Sequence, residues 1–173
     1  MHQTIQLLKK SKANFISLDK LKQYLRIDHD YDNEMIMNMI DIACEVAENY
    51  TGLSLVLAKW KISIFNNIPD IIKLKHGPIL KIEEFKLLFN DNSINLSDEH
   101  YLLDKHSETI MLNRIYHAKR AEITYQAGYE EIPASIKQGI IEHIAKLYDL
   151  RGENQSLPAS VKSLYQPFKR VRL

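Results

Sequence analysis

The spacing of apolar residues changes period twice along this chain, and that change limits the possible folds more than any motif does. From Ser17 to Tyr50 the apolar residues recur at intervals of three and four: Leu18, Leu21, Tyr24 and Leu25, then Ile36, Met39, Ile40, Ala43, Ala47 and Tyr50. This is the period of helices with one buried face. From Leu53 to Tyr129 the period falls to two, as in Trp60, Ile62 and Ile64 alternating with Lys61 and Ser63, and Ile123 and Tyr125 alternating with Glu122 and Thr124. That is the period of half-buried strands. Past Pro133 the helical spacing returns in Ile136, Ile140, Ile144, Leu147 and Tyr148. The expected fold is therefore α+β: helices over about 17–26, 33–51 and 134–151, a short one at 159–165, and an inserted antiparallel β region over about 55–127.

Local punctuation agrees with these bounds. Ser17 stands where an N-cap belongs, Thr51-Gly52 supplies a helix stop, and Pro133 sits where a first helical residue tolerates proline. Within the β region, Gly77-Pro78 and Asn90-Asp91-Asn92 mark turns, and the polar link Lys105–Ser107 between Tyr101, Leu103 and Ile110, Leu112 reads as a hairpin turn. Between Leu80, Ile82 and Phe85, Leu87, Phe89 the parity slips by one residue, which predicts a β-bulge or bend at Glu83-Glu84. Residues 1–14 form an extension with no assigned element, residues 15–166 a single domain (helices from 15–52 and 133–166, β insertion 53–130), and residues 167–173 a tail.

The 173 residues, 45% apolar, suffice for a real core, and 23 basic against 22 acidic side chains leave no overall charge to favour nucleic acid or membrane. Any such partner needs a local patch. The single cysteine, Cys44, excludes an internal disulfide framework and a cysteine-rich zinc site, and it reads as a small buried residue of a helix. Residues 1–14 carry only a short apolar stretch followed by lysines, which is the wrong order for a secretory signal, and no run is long enough to span a membrane. A soluble chain, cytoplasmic when made, is expected.

The stretch RIDHDYDNE, residues 26–34, concentrates Asp28, His29, Asp30, Asp32 and Glu34. As a calcium loop it fits the first three ligand positions, but Asn33 replaces the glycine and Met39 the bidentate glutamate. A corner between two helices needs less: Asp30 or Asp32 caps the second helix, and Glu34 lies in its first turn. As a DNA-reading helix-turn-helix the pair fails on charge, because the second helix carries Glu34, Asp41, Glu45 and Glu48 and neither lysine nor arginine. No GxSxG, HExxH, P-loop or dinucleotide turn is present, and His100, His106, His117 and His143 lack a partner at a catalytic spacing, so they read as surface or half-buried histidines. Ser107-Glu108 reads as an exposed polar turn. No catalytic residue, cofactor or metal is expected.

One local charge anomaly remains. Arg151, Lys162, Lys169, Arg170 and Arg172 stand against Glu153 alone, a local charge of +4. The tail is either a frayed terminus or a docking peptide, with Phe168 and Leu173 as anchors and Lys169, Arg170 and Arg172 meeting an acidic partner or DNA phosphates.

Three junctions carry a resemblance. SLDKLKQYLRIDHDYDNEMI leading to ENYTG, then ITYQAGYEEIPASIKQGI, then LYDLRGEN, in that order around a β region, resemble the head-tail connector (adaptor) proteins of long-tailed bacteriophages, often described as DNA-packaging or head-completion proteins. The likeness runs over roughly residues 15–168. It implies a non-enzymatic structural protein of the virion neck, made in the host cytoplasm. Such a subunit joins copies of itself in a ring of about twelve, binds the portal protein, and offers the platform for a stopper or tail-completion protein. Packaged DNA passes through the ring without sequence-specific binding, and no membrane is involved. The resemblance makes Phe168, Lys169, Arg170, Arg172 and Leu173 the candidate portal-docking tail. A closing ring needs a different surface on each side of the subunit, and the acidic residues Glu34, Asp41, Glu45 and Glu48 with the basic Lys162 are the candidate interface residues. The alternatives are a small helix-turn-helix-like DNA-binding regulator and a metal-dependent enzyme using the Asp28–Asp32 cluster.

Overall fold

The computed structural model describes residues 2–150 and 156–170. Its elements are β1 (His2–Lys10), α1 (Leu18–Leu25), α2 (Asn33–Thr51), β2 (Ala58–Phe65), β3 (Ile71–Lys73), β4 (Ile79–Leu88), β5 (Ser93–Asn95), β6 (Tyr101–Asp104), β7 (Thr109–Leu112), β8 (Arg120–Ala127), α3 (Ala134–Leu150) and α4 (Ala159–Tyr165), with 3₁₀ turns at Asp98–His100 and Gln166–Phe168. The fold is α+β, as the change of period predicts. Two compact units form: Met1–Ser11 with Val56–Glu130, and Lys12–Leu55 with Glu131–Leu173.

In the helical unit α2 packs against α3, and α3 against α4. The apolar stripe of α2 is buried at Ile36, Ile40, Ala43, Cys44 and Ala47, and that of α3 at Ile136, Gly139, Ile140, His143 and Ile144. His143 is thus a core residue, 2% exposed, and not the surface or half-buried histidine its sequence context suggested. Gly139 is there because the Tyr165 ring of α4 occupies the space of a side chain: a Cβ would stand 2.5 Å from its Cε1. Ser17 caps α1 by accepting from the Lys20 amide at 3.3 Å, and Gly52 closes α2 with φ +77°. Pro133 stands one position before α3, its carbonyl accepting from the Lys137 amide.

The β unit holds a five-stranded sheet in the order β1-β2-β8-β4-β5 and a three-stranded sheet in the order β3-β7-β6, antiparallel throughout. One apolar cluster joins the two, with Ile62, Ile64, Phe85, Leu87, Ile123 and Tyr125 from the larger sheet meeting Ile72 and Ile110 from the smaller. Burying each such side chain contributes about 1.5–3 kcal/mol. The bulge expected at Glu83-Glu84 is present as a register shift between Ile82 and Glu84, and a second shift lies between Ile79 and Lys81. The hairpin at 105–107 is also present: Asp104 pairs with Thr109, and its carboxylate accepts from the amides of His106 and Ser107 and from the Ser107 hydroxyl.

Two features depart from the sequence reading. Residues 2–10, to which no element was assigned, are the edge strand β1, paired with β2 along its length. Glu108 is not an exposed turn residue: it is 3% exposed, and its carboxylate fills the space where a Cβ on Gly77 would fall.

Candidate partner-binding surfaces

The acidic corner between α1 and α2 is held by specific side chains. The Asp30 carboxylate takes the Lys22 ammonium at 2.6 Å and the Asn33 side-chain amide at 3.2 Å. The hydrogen bond from Lys22 is the main reason its pKa lies below the usual aspartate value. Asp32 occupies the N-cap position of α2, yet its carboxylate makes no cap bond and instead accepts from the Tyr148 hydroxyl at 2.6 Å, with His29 Nε2 at 3.9 Å. The expected carboxylate cap is therefore absent; the Asp30 carbonyl receives the Asn33 amide at 3.1 Å. Tyr148 out-competes the backbone because a hydroxyl on a charged oxygen makes a short, charge-assisted bond. Among the described residues no three His, Cys, Asp or Glu side chains gather as a metal would require.

On α2, Glu34, Asp41 and Glu45 are exposed. At about 100° per residue they fall within an arc of about 40° on the helix. Glu48 leaves this stripe: its carboxylate accepts from the Leu55 amide at 2.9 Å and so secures the chain leaving the helix. The same helix exposes Met37 at 56% and Ile42 at 46%. Both lie outside the buried Ile36, Ile40, Ala43, Ala47 stripe, which is the signal by which the sequence could have identified them. The exposed side of α2 is thus acidic with apolar inclusions.

The C-terminal candidates behave differently from a free peptide. Tyr50 organises them: its hydroxyl donates to Gln166 Oε1 at 2.8 Å, its ring tilts against Tyr165, and the Lys169 ammonium lies 5.1 Å from its ring centre. The Arg170 amide donates to the Thr51 carbonyl at 2.8 Å. Residues 166–170 are therefore folded onto the last turn of α2. That turn has no basic residue of its own, so Lys169 and Arg170 supply the positive charge that a helix C-terminus favours. Burial of its stem draws the Arg170 pKa down, but the guanidinium keeps its charge. Phe168 is half-buried, while Lys162, Lys169 and Arg170 are exposed. Arg172 and Leu173 lie outside the described residues.

Comparison with known proteins adds three findings. The model of the phage gp6-like head-tail connector protein family matches residues 15–86, in line with the resemblance read from the three junctions. No curated protein matches the chain. Among solved structures, a chain from the neck of an empty gene transfer agent particle with C6 symmetry aligns with a TM-score of 0.77 at 17% identity, covering 98% of this chain and 97% of that one. A chain from the virion of a native gene transfer agent particle aligns at 0.78 and 15% identity, covering 98% and 96%. A chain from a native gene transfer agent neck with C12 symmetry gives 0.69 at 18% identity, covering 97% of each. These likenesses establish a shared fold from end to end.

Proposed function

We propose that this chain is a head-tail connector subunit: a structural protein of the neck of a phage-like particle, assembled as a ring, that binds a portal and carries the next tail-side protein. The observation that carries the reading is the connector-family match over residues 15–86 lying inside a fold shared end to end with chains of gene transfer agent necks. The six- and twelve-fold symmetry of those necks supports a ring of about twelve copies. Opposite charge on two surfaces supplies the means: Glu34, Asp41 and Glu45 on α2 meet a neighbour's Lys162, and the tail from Phe168 onward, with Lys169, Arg170, Arg172 and Leu173, meets the portal. Packaged DNA passes through and is retained with no base readout. The role is structural and not catalytic.

A DNA-binding regulator is disfavoured by the same α2 surface, because an exposed acidic stripe repels phosphates. The test is retention of the chain on purified portal rings. Wild type is expected to co-sediment with them, truncation after residue 170 to lose binding while keeping the circular dichroism and melting profile of the parent, and K169E/R170E to lose binding while keeping the parent's circular dichroism spectrum but melting lower, because it places acid at the C-terminus of α2. Unchanged co-sedimentation of both variants would remove the docking role. A salt-dependent shift of duplex DNA by the wild type would favour the regulator instead.

A further inference from the structure

We infer that the outer face of the five-stranded sheet in one copy of this chain is the docking surface for the acidic stripe of α2 in the next copy. The inference rests on the ring reading above and deepens it, because Lys162 alone matches only one of the three carboxylates Glu34, Asp41 and Glu45. All three are exposed, and none makes an ion pair among the described residues. They stand open to a cationic partner on another molecule.

The register gathers cations on the sheet face that points away from the apolar core. Trp60 packs on that core, so its neighbour Lys59 and the residues level with Lys59 face outward. Lys9 stands directly opposite Lys59, and Lys59 and Lys81 flank Gln126, in one row across β1, β2, β8 and β4. Lys61, Lys86 and Arg120 lie further along the same face, together with the carboxylates Glu83, Glu84 and Glu122. Glu83 holds Lys59, and Glu122 holds Lys61 and Arg120. Lys9, Lys81 and Lys86 make no ion pair among the described residues, and Lys9 and Lys81 are exposed. Like charges at directly opposite positions, as at Lys9 and Lys59, destabilise a sheet that no anion covers. Six cations against three carboxylates leave a surplus of three positive charges, equal to the three open carboxylates of α2.

The spacing of the charges agrees as well. Lys9 and Lys81 are separated by three strand steps, about 14 Å across the sheet. Glu34 and Glu45 are separated by about 16.5 Å along the helix. The flexible lysine stems span the difference. A continuous row of DNA phosphates would run against Glu84 and Glu122 on the same face, whereas the stripe of α2 offers three separate acids beside the exposed Met37 and Ile42. Because the contact joins two different surfaces, it runs head to tail and can close a ring.

Charge exchange in the full chain tests the contact, with assembly read by sedimentation velocity at rising protein concentration and by co-sedimentation with purified portal rings. K9E/K81E on the sheet and D41K/E45K on α2 should each raise the concentration needed for half-assembly at least tenfold while keeping the parent's circular dichroism spectrum. An equimolar mixture of the two variants should recover assembly, because every contact in an alternating ring then joins unlike charges, and so should a single chain carrying all four substitutions. Assembly of either variant like the parent, or loss in both without recovery in the mixture, would overturn the contact and leave the connector reading intact. A shift of duplex DNA by the parent that K9E/K81E abolishes would assign the face to DNA and overturn the contact as well. If the parent forms no ring under either condition, the ring reading fails and the contact with it.

Discussion

The hydroxyl of Tyr148, near the end of α3, donates a 2.6 Å hydrogen bond to the carboxylate of Asp32 at the start of α2, across 116 positions of sequence. A stretch that resembles a cation site is in fact a clamp between two helices. Hydrogen bonds to charged groups contribute about 1.5–3 kcal/mol. Tyr148→Phe, which removes only the donor, should therefore lower unfolding free energy by about 1–2 kcal/mol in urea titrations. A double-mutant cycle with Asp32→Asn should return a coupling of at least about 0.5 kcal/mol. Additive losses would mean that the two groups do not act on each other.

At Gly139 two effects oppose each other. In an ordinary helix interior, glycine to alanine stabilises by about 1 kcal/mol. Here a Cβ would stand 2.5 Å from Cε1 of the Tyr165 ring, and overpacking of this kind costs about 1–3 kcal/mol. Gly139→Ala should thus destabilise the chain, and adding Tyr165→Leu should restore part of the helix gain. A thermal melt that rises for Gly139→Ala alone would show that α4 moves aside freely.

Acid should weaken the helical unit through His143. Burial lowers the pKa of this imidazole below its ordinary value of 6.5, so the unfolded chain takes up the proton more readily than the folded one. The neutral form's stability is full above about pH 6.5 and is lost as pH falls from there toward the depressed folded value. Substitution His143→Met should flatten the stability profile in the range below about pH 6.5. An unchanged slope in that window would assign the loss to other groups.

A second acid window belongs to the outer face of the five-stranded sheet. Glu83 has a lowered pKa chiefly through its hydrogen bond from Lys59. Burial pushes the Glu122 pKa up, but Lys61, Arg120 and Lys86 together outweigh it, and the net shift is downward. Stability from these depressed carboxylates is present above the ordinary glutamate value of 4.5 and is lost as pH falls through their lower folded values. Glu122→Gln should shrink the acid-induced loss below about pH 4.5 and leave the histidine window unchanged. Because Arg120 and Lys61 are partly exposed, added salt should narrow the difference between variant and parent.

What the sequence discloses follows from where each signal resides. Ile36, Ile40, Ala43 and Ala47 announce α2 because burial imposes its period on consecutive turns, and the parity slip at Glu83-Glu84 announces a bulge because each strand face must keep its apolar set. Neither depends on a distant partner. β1 goes unannounced because an edge strand in this position buries little, leaving only Ile5 and Leu7 to alternate with Thr4 and Gln6. The burial of Glu108 depends on a glycine thirty-one positions earlier, at Gly77, and the role of Asp32 depends on Tyr148. Such pairings are made by tertiary approach, and no local pattern encodes them. The tail occupies a middle position: its charge is legible as an anomaly, while its seating on Tyr50 and Thr51 is not.

That seating has a mechanical consequence. Arg170 is bonded to the last turn of α2, and the first turn of the same helix is held by Tyr148. The segment ending at residue 170 is therefore not a loose end but is tied to one end of a rod of nineteen residues, about 28 Å long. α2 is thus one element tethered at both ends, to the C-terminal segment at Thr51 and to α3 at Asp32.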